Sequence, residues 1–83
     1  MFIVGVDIAK RSHEAIVLED TGKVAHKAFS FKNNVSGFQR FLDILLSLSH
    51  DPSDFLIGME STGHYWLALY SALQKHSFSV CVL

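Results

Sequence analysis

Two short stretches of the sequence, residues 2–7 and 55–60, follow one pattern: an apolar run with one glycine that ends in a carboxylate, Asp7 or Glu60. Such runs are typical of strands buried on both faces near the centre of a parallel sheet. In open α/β sheets, ligands bind at the carboxyl ends of the strands. If the two strands are neighbours, their acids lie together and offer the oxygen ligands that Mg²⁺ or Mn²⁺ prefers. The alternative is that Asp7 caps a turn and Glu60 caps a helix. The matched strands favour a metal site with both acids as ligands.

Four further residues near these acids are candidate contacts for a phosphate backbone. Lys10 and Arg11 follow the first strand and place positive charge at the same edge, although a solvated turn explains them equally well. Thr62 and His64 follow Glu60, where a helix would direct free backbone N–H groups towards the strand ends. The structural alternatives are that Thr62 is an N-cap and that His64 is a surface or packing residue.

The N-terminal half reads as an antiparallel meander of three strands. Residues 13–19 alternate in polarity, with His13 on one face and Glu14 on the other, and neither residue is assigned a catalytic role. A turn at residues 21–23 leads to a further extended segment, Val24 to Phe31. Strands joined by such short turns are antiparallel.

The C-terminal half alternates helices with strands. Ser36 and Gln39 resemble a capping box, and an apolar stripe at helical spacing follows them until Pro52 ends the helix. After the strand at residues 55–60, a second helix is predicted from Ser61-Thr62-Gly63 to about His76, and then a last strand over residues 78–83.

The resulting order, β-β-β-α-β-α-β, predicts a mixed sheet that is parallel around its fourth and fifth strands. Both helices should lie mainly on one side of the sheet, which leaves apolar residues bare on the other side. We therefore expect the 83 residues to be the front of a longer α/β domain, truncated after the fifth strand, and a homo-oligomer to form through the bare face.

Composition limits the class of protein. Hydrophobic residues make up 49% of the chain, which argues against intrinsic disorder, and the net charge of −1 provides no global attraction for nucleic acid. A single cysteine fits a reducing compartment, and no apolar run reaches the roughly 18–20 residues of a membrane span. We expect a cytoplasmic protein with no membrane partner.

The strand arrangement resembles the ribonuclease-H-like fold, and three blocks resemble one family within it, the DEDD transposases. These are bacterial insertion-sequence enzymes with a RuvC-like nuclease domain, related to pilin-gene invertases. The most specific block contains Glu60 and ends in Gly63-His64-Tyr65-Trp66; the others are Gly5-Val6-Asp7-Ile8-Ala9-Lys10 and the segment from Asn33 to Phe38 with its Gly37-Phe38.

The resemblance implies that Asp7 and Glu60 are the first D and the E of a four-acid centre for metal-dependent DNA cleavage and strand transfer. The other two aspartates, and a serine in a C-terminal domain, would follow later in such proteins. DNA and a structured guide RNA are the implied partners, and Mg²⁺ or Mn²⁺ is the implied cofactor. With half of the four acids, we expect this chain alone to bind Mg²⁺ weakly and not to cut DNA.

Two other readings stay open. A sugar-kinase or actin-like ATPase half-domain also has a first strand that ends in Asp, but a glycine usually follows two positions later, where this chain has Ala9. A non-catalytic module for RNA docking or dimerisation is the third reading.

Overall fold

The chain forms one five-stranded mixed sheet with two α-helices, seen in a computed structural model that describes residues 1–60 and 63–83. The strands are β1 Phe2–Asp7, β2 Ser12–Glu19, β3 Val24–Lys32, β4 Phe55–Met59 and β5 Ser79–Val82. The helices are α1 Val35–Leu48 and α2 Leu67–Lys75, and a 3₁₀ turn at Pro52–Asp54 precedes β4. The predicted element order is therefore confirmed.

The strands lie in the spatial order β3-β2-β1-β4-β5. The β1–β2 and β2–β3 pairs are antiparallel, whereas the β1–β4 and β4–β5 pairs are parallel. This is the predicted mixed sheet, with a meander on one side and two crossovers on the other. The central position of β1 makes it the strand from which both halves of the sheet are built.

Both helices pack on the same face of the sheet, which we call the helical face. Alternate strand residues such as Val4, Ile57 and Phe31 are buried there against Phe41 of α1 and Leu73 of α2. The rings of Phe31 and Phe41 lie 4.7 Å apart, at the centre of an aromatic cluster under α1. Burying one such side chain contributes about 1.5–3 kcal/mol to stability, so this face holds the hydrophobic core.

The opposite face, which we call the open face, carries no helix among the described residues. It includes Ile3 and Leu56, each 41% exposed, and the partly exposed Ile16. The expected bare apolar face is therefore present. The helices in the described ranges are all too short or too polar to cross a membrane.

The predicted start of α1 is wrong by two residues. The N-cap is Asn34, not Ser36, and its side-chain oxygen accepts hydrogen bonds from the Gly37 N–H at 2.8 Å and the Ser36 hydroxyl at 3.1 Å. Gln39 does not reach back to the cap; it donates to Asp43 at 2.8 Å. Asn is at least as good an N-cap as Ser, and the extended backbone of Asn34 suits that position.

The predicted start of α2 directly after Glu60 is also wrong. Residues 63–66 form turns, and the helix begins at Leu67 with Trp66 at the N-cap position and no side-chain cap. Gly63 has φ +60°, a left-handed conformation that helical residues do not adopt. The predicted end near His76 is confirmed, because His76 is the C-cap residue.

Candidate metal and nucleic-acid site

The Asp7 and Glu60 backbones lie side by side at the carboxyl ends of β1 and β4. The last registered pair of these parallel strands is Val6 with Met59, and each acid is the next residue along its strand. Neighbouring strands lie about 4.8 Å apart, so the two acids lie within reach of one shared ion. Both residues are exposed, and both line a concave region of the open face.

Glu14 is a third acid at the same edge, and the sequence analysis gave it no role. It is the antiparallel partner of Asp7 and lines the same concavity. Side chains directly opposite in an antiparallel pair have Cβ atoms about 4.5–5.5 Å apart, so two like charges meet here. The signal was available in the sequence, since the alternation of β2 and the four-residue connection after Asp7 fix this register.

The three acids do not form a complete metal cage. Within residues 1–60 and 63–83, no group of three or more His, Cys, Asp or Glu side chains is arranged to hold a metal ion. The donor chemistry nevertheless suits a hard cation, because every candidate ligand is a carboxylate oxygen. Asp7 and Glu60 are the residues that would hold such an ion.

Lys10 and Arg11 are exposed in the connection between β1 and β2, three and four residues beyond Asp7. Their backbones, in contrast, are tied to the residue that follows β3. The Asn33 amide side chain donates to the Lys10 carbonyl at 3.2 Å, and the Asn33 N–H donates to the Arg11 carbonyl at 2.9 Å. Two cationic side chains are thus carried on a fixed backbone beside the acids.

The other two predicted phosphate contacts are placed differently. His64 is exposed but lies in the turn at residues 63–66, three residues before α2, and not in a first helical turn. The α2 N-terminus therefore does not supply the phosphate site predicted next to Glu60. Thr62 lies outside the described residues.

His13, which was assigned no role, is the buried polar residue of this region. It is 1% exposed on the helical face, where its ring packs edge-on against Phe31 at 5.3 Å. Its Nδ1 accepts a hydrogen bond from the Ala9 N–H at 3.2 Å. Burial lowers the pKa of His13, and the neighbouring Asn33 side chain partly offsets this effect. The imidazole is therefore neutral at pH 7.

Comparison with solved structures supports the fold assignment. The chain is similar to RuvC from Thermus thermophilus, with a TM-score of 0.58 and 14% identity over 100% of this chain and 63% of that one. It is also similar to YeaZ from Pseudomonas aeruginosa, with a TM-score of 0.52 and 12% identity over 99% of this chain and 42% of that one. The chain thus spans less than two thirds of either protein. At these identities, the likeness shows the fold alone, which is ribonuclease-H-like as expected.

Comparison at the level of sequence identifies the family. No curated protein sequence matches the chain. A family model described as the IS110-type DEDD transposases matches residues 4–83, which is nearly the whole chain. The match includes both Asp7 and Glu60. The chain therefore belongs to the IS110-type DEDD transposase family.

Proposed function

We propose that this chain is the N-terminal part of a transposase catalytic domain, and that Asp7 and Glu60 supply two of its four acidic metal ligands. The observation that carries the proposal is their placement at the ends of adjacent parallel strands, one residue beyond the Val6–Met59 pair. The family match supports the same assignment, because the letters DEDD in the family name stand for four acidic residues. The parent protein would cleave and transfer DNA strands of an insertion sequence.

In the proposed site, the strand ends would bind the metal ion and the connection beside them would bind phosphates. Asp7 and Glu60 would hold Mg²⁺ or Mn²⁺ from the open face. A divalent ion at such a site polarises a scissile phosphate and stabilises the leaving oxygen. Lys10 and Arg11, exposed beside Asp7, would bind neighbouring phosphates and orient the DNA backbone.

The partners proposed for the parent protein are DNA and, by family, a guide RNA, in a homo-oligomer. The bare apolar face of the sheet is compatible with self-association. Because the described acids do not form a cage, we expect the 83-residue chain to bind the ion weakly and to leave DNA uncut.

The metal assignment is tested by titrating the purified chain with Mn²⁺ and following paramagnetic broadening of its amide NMR signals. We expect broadening to centre on the carboxyl ends of β1 and β4 and to disappear in Asp7→Asn and Glu60→Gln. Glu19→Gln is the matched control, because Glu19 pairs with Phe2 at the far end of β1. Equal broadening in wild type and Asp7→Asn would refute the site.

A second assay addresses catalysis and the competing ATPase reading. Robust metal-dependent DNA cleavage by the chain alone, abolished by Asp7→Ala, would contradict the expectation that half of the acids is insufficient. Thermal protection by Mn²⁺ without nucleotide supports the nuclease proposal. Thermal protection that requires ATP would instead support a nucleotide-binding domain.

A further inference from the structure

We propose that His13 and Asn33 act as positioning residues that hold the connection at residues 8–11 in the conformation needed for Lys10 and Arg11 to bind phosphates. The proposal rests on the proposed function, because it concerns the same site. It assigns a role to two residues that are uncharged at neutral pH and are not proposed metal ligands. We call this pair the His13–Asn33 clamp.

The first observation is that the clamp bonds three consecutive residues of the connection. The Ala9 N–H donates to His13 Nδ1 at 3.2 Å. The next two carbonyls, of Lys10 and Arg11, accept from the side chain and the backbone of Asn33 at 3.2 and 2.9 Å. The side chain of Ile8, at the start of the connection, is 8% exposed and anchors it in the core. Every residue of the connection is therefore fixed.

The second observation is that His13 is held in one chemical state. Because Nδ1 accepts from a backbone N–H, the ring proton must be on Nε2. That nitrogen is buried and makes no hydrogen bond of ordinary length and angle within the described part of the chain, although the Asn33 side chain is close enough to raise the pKa of His13. A buried N–H without a partner costs free energy, so packing alone would favour an apolar side chain at this position. The Nδ1 acceptor is what an apolar residue could not supply.

The clamp affects binding because ordering a backbone costs conformational entropy. Fixing one residue's backbone costs about 1–2 kcal/mol, and a binding loop ordered beforehand does not lose that free energy when its ligand arrives. Lys10 and Arg11 keep exposed side chains while their backbones are bonded. The arrangement fixes where the two cations emerge from the chain and leaves their side chains free to reach phosphates.

Two substitutions of similar shape at His13 isolate the contribution of the Nδ1 acceptor. In His13→Asn, the amide oxygen can take the place of Nδ1, whereas His13→Leu has a similar branched shape and no acceptor. We would measure hydrogen exchange of the Ala9 amide, and the affinity of each variant for a fluorescein-labelled 20-base-pair duplex DNA at several salt concentrations. Circular dichroism would establish that each variant is folded.

We expect His13→Leu to lose protection of the Ala9 amide and to bind the duplex about two- to tenfold more weakly, the factor that one hydrogen bond supports. His13→Asn should retain both properties. The dependence of log affinity on log salt should also become shallower in His13→Leu, because fewer phosphate contacts are made. A merely structural role would lower stability without changing the salt slope of the folded protein.

A second variant keeps the test valid if His13→Leu does not fold. Asn33→Leu preserves the approximate size of a partly exposed side chain, adds no charge and removes the donor to the Lys10 carbonyl. It too should weaken binding and flatten the salt slope. Wild-type affinity and slope in both folded variants would overturn the clamp and leave the metal site standing. Mn²⁺ binding by Asp7→Asn tests the metal site and is independent of the clamp. A wild-type chain that does not bind the duplex would overturn the clamp's role.

Discussion

Gly37→Ala should destabilise this protein, although the same substitution inside a helix is normally favourable. Gly37 is the third residue of α1 and is buried against the end of β3. A Cβ atom placed on Gly37 would lie 1.8 Å from the Lys32 carbonyl oxygen and 2.6 Å from the Lys32 carbonyl carbon. The obstacle is backbone, so no side-chain rotation can relieve it.

The size of the effect follows from the displacement that the new methyl group requires. A carbon and an oxygen in close contact are about 3.3 Å apart, so α1 would have to withdraw by about 1.5 Å. A gap of 0.5–1 Å already removes about a quarter to a half of a van der Waals contact, and the contact between Phe41 and Phe31 lies under this helix. Overpacking of this kind costs about 1–3 kcal/mol or more. The higher helix propensity of Ala relative to Gly offsets only about 0.5–1 kcal/mol of this cost.

Urea unfolding followed by the fluorescence of Trp66, the single tryptophan, measures the change directly. We expect Gly37→Ala to lower the free energy of unfolding by about 2 kcal/mol, or the melting temperature by about 10 °C in a domain of this size. Gly58→Ala is the matched control, because a Cβ there meets no atom within 4 Å, and it should be neutral or stabilising. If Gly37→Ala is more stable than wild type, the close approach of α1 to Lys32 is refuted.

Three further predictions concern single side chains. Burial lowers the pKa of His13 from 6.5 in the folded state, so the unfolded chain binds more protons and the free energy of unfolding should fall as the pH drops below about 6.5. Urea unfolding from pH 7.5 to 5 should show a smaller loss of this free energy in His13→Asn than in wild type. An equal loss in the two proteins would contradict the assignment. Glu14→Gln should raise the melting temperature in low salt without metal, because it removes a like charge opposite Asp7, and this gain should shrink in high salt. Asn34→Ala should cost about 1 kcal/mol in urea unfolding and Ser36→Ala much less, whereas the reverse order would restore Ser36 as the N-cap.

The sheet could be predicted from the sequence because its strands carry strong local signals. The apolar runs that end in Asp7 and Glu60 match β1 and the strand up to Met59, and the alternation after His13 matches β2. The crossover rule then gives the parallel pairing. These features depend only on residue type and spacing, and both can be read directly from the sequence.

The helix starts and the supporting residues could not be predicted in the same way. Both Asn34 and Ser36 are good caps by residue type, and residue type alone does not show that the Asn34 side chain is the one that accepts from the Gly37 N–H. The start of α2 depends on the left-handed conformation of Gly63, which glycine permits but does not require. His13 looked like one alternating polar residue, since its bond to Ala9 exists only once the connection has folded back.

The place of β1 in the sheet has a consequence for the order in which the protein folds. Its pairing with β2 closes a short loop, whereas its pairing with β4 joins segments some 50 residues apart, across the whole of α1. Contacts between distant parts of a chain form slowly, because the entropy of closing the loop is lost before any contact is gained. Asp7 and Glu60 meet only across this long-range pair. A cation that requires both acids would therefore bind the folded sheet and not the isolated meander, and its binding would report that the slow step of folding is complete.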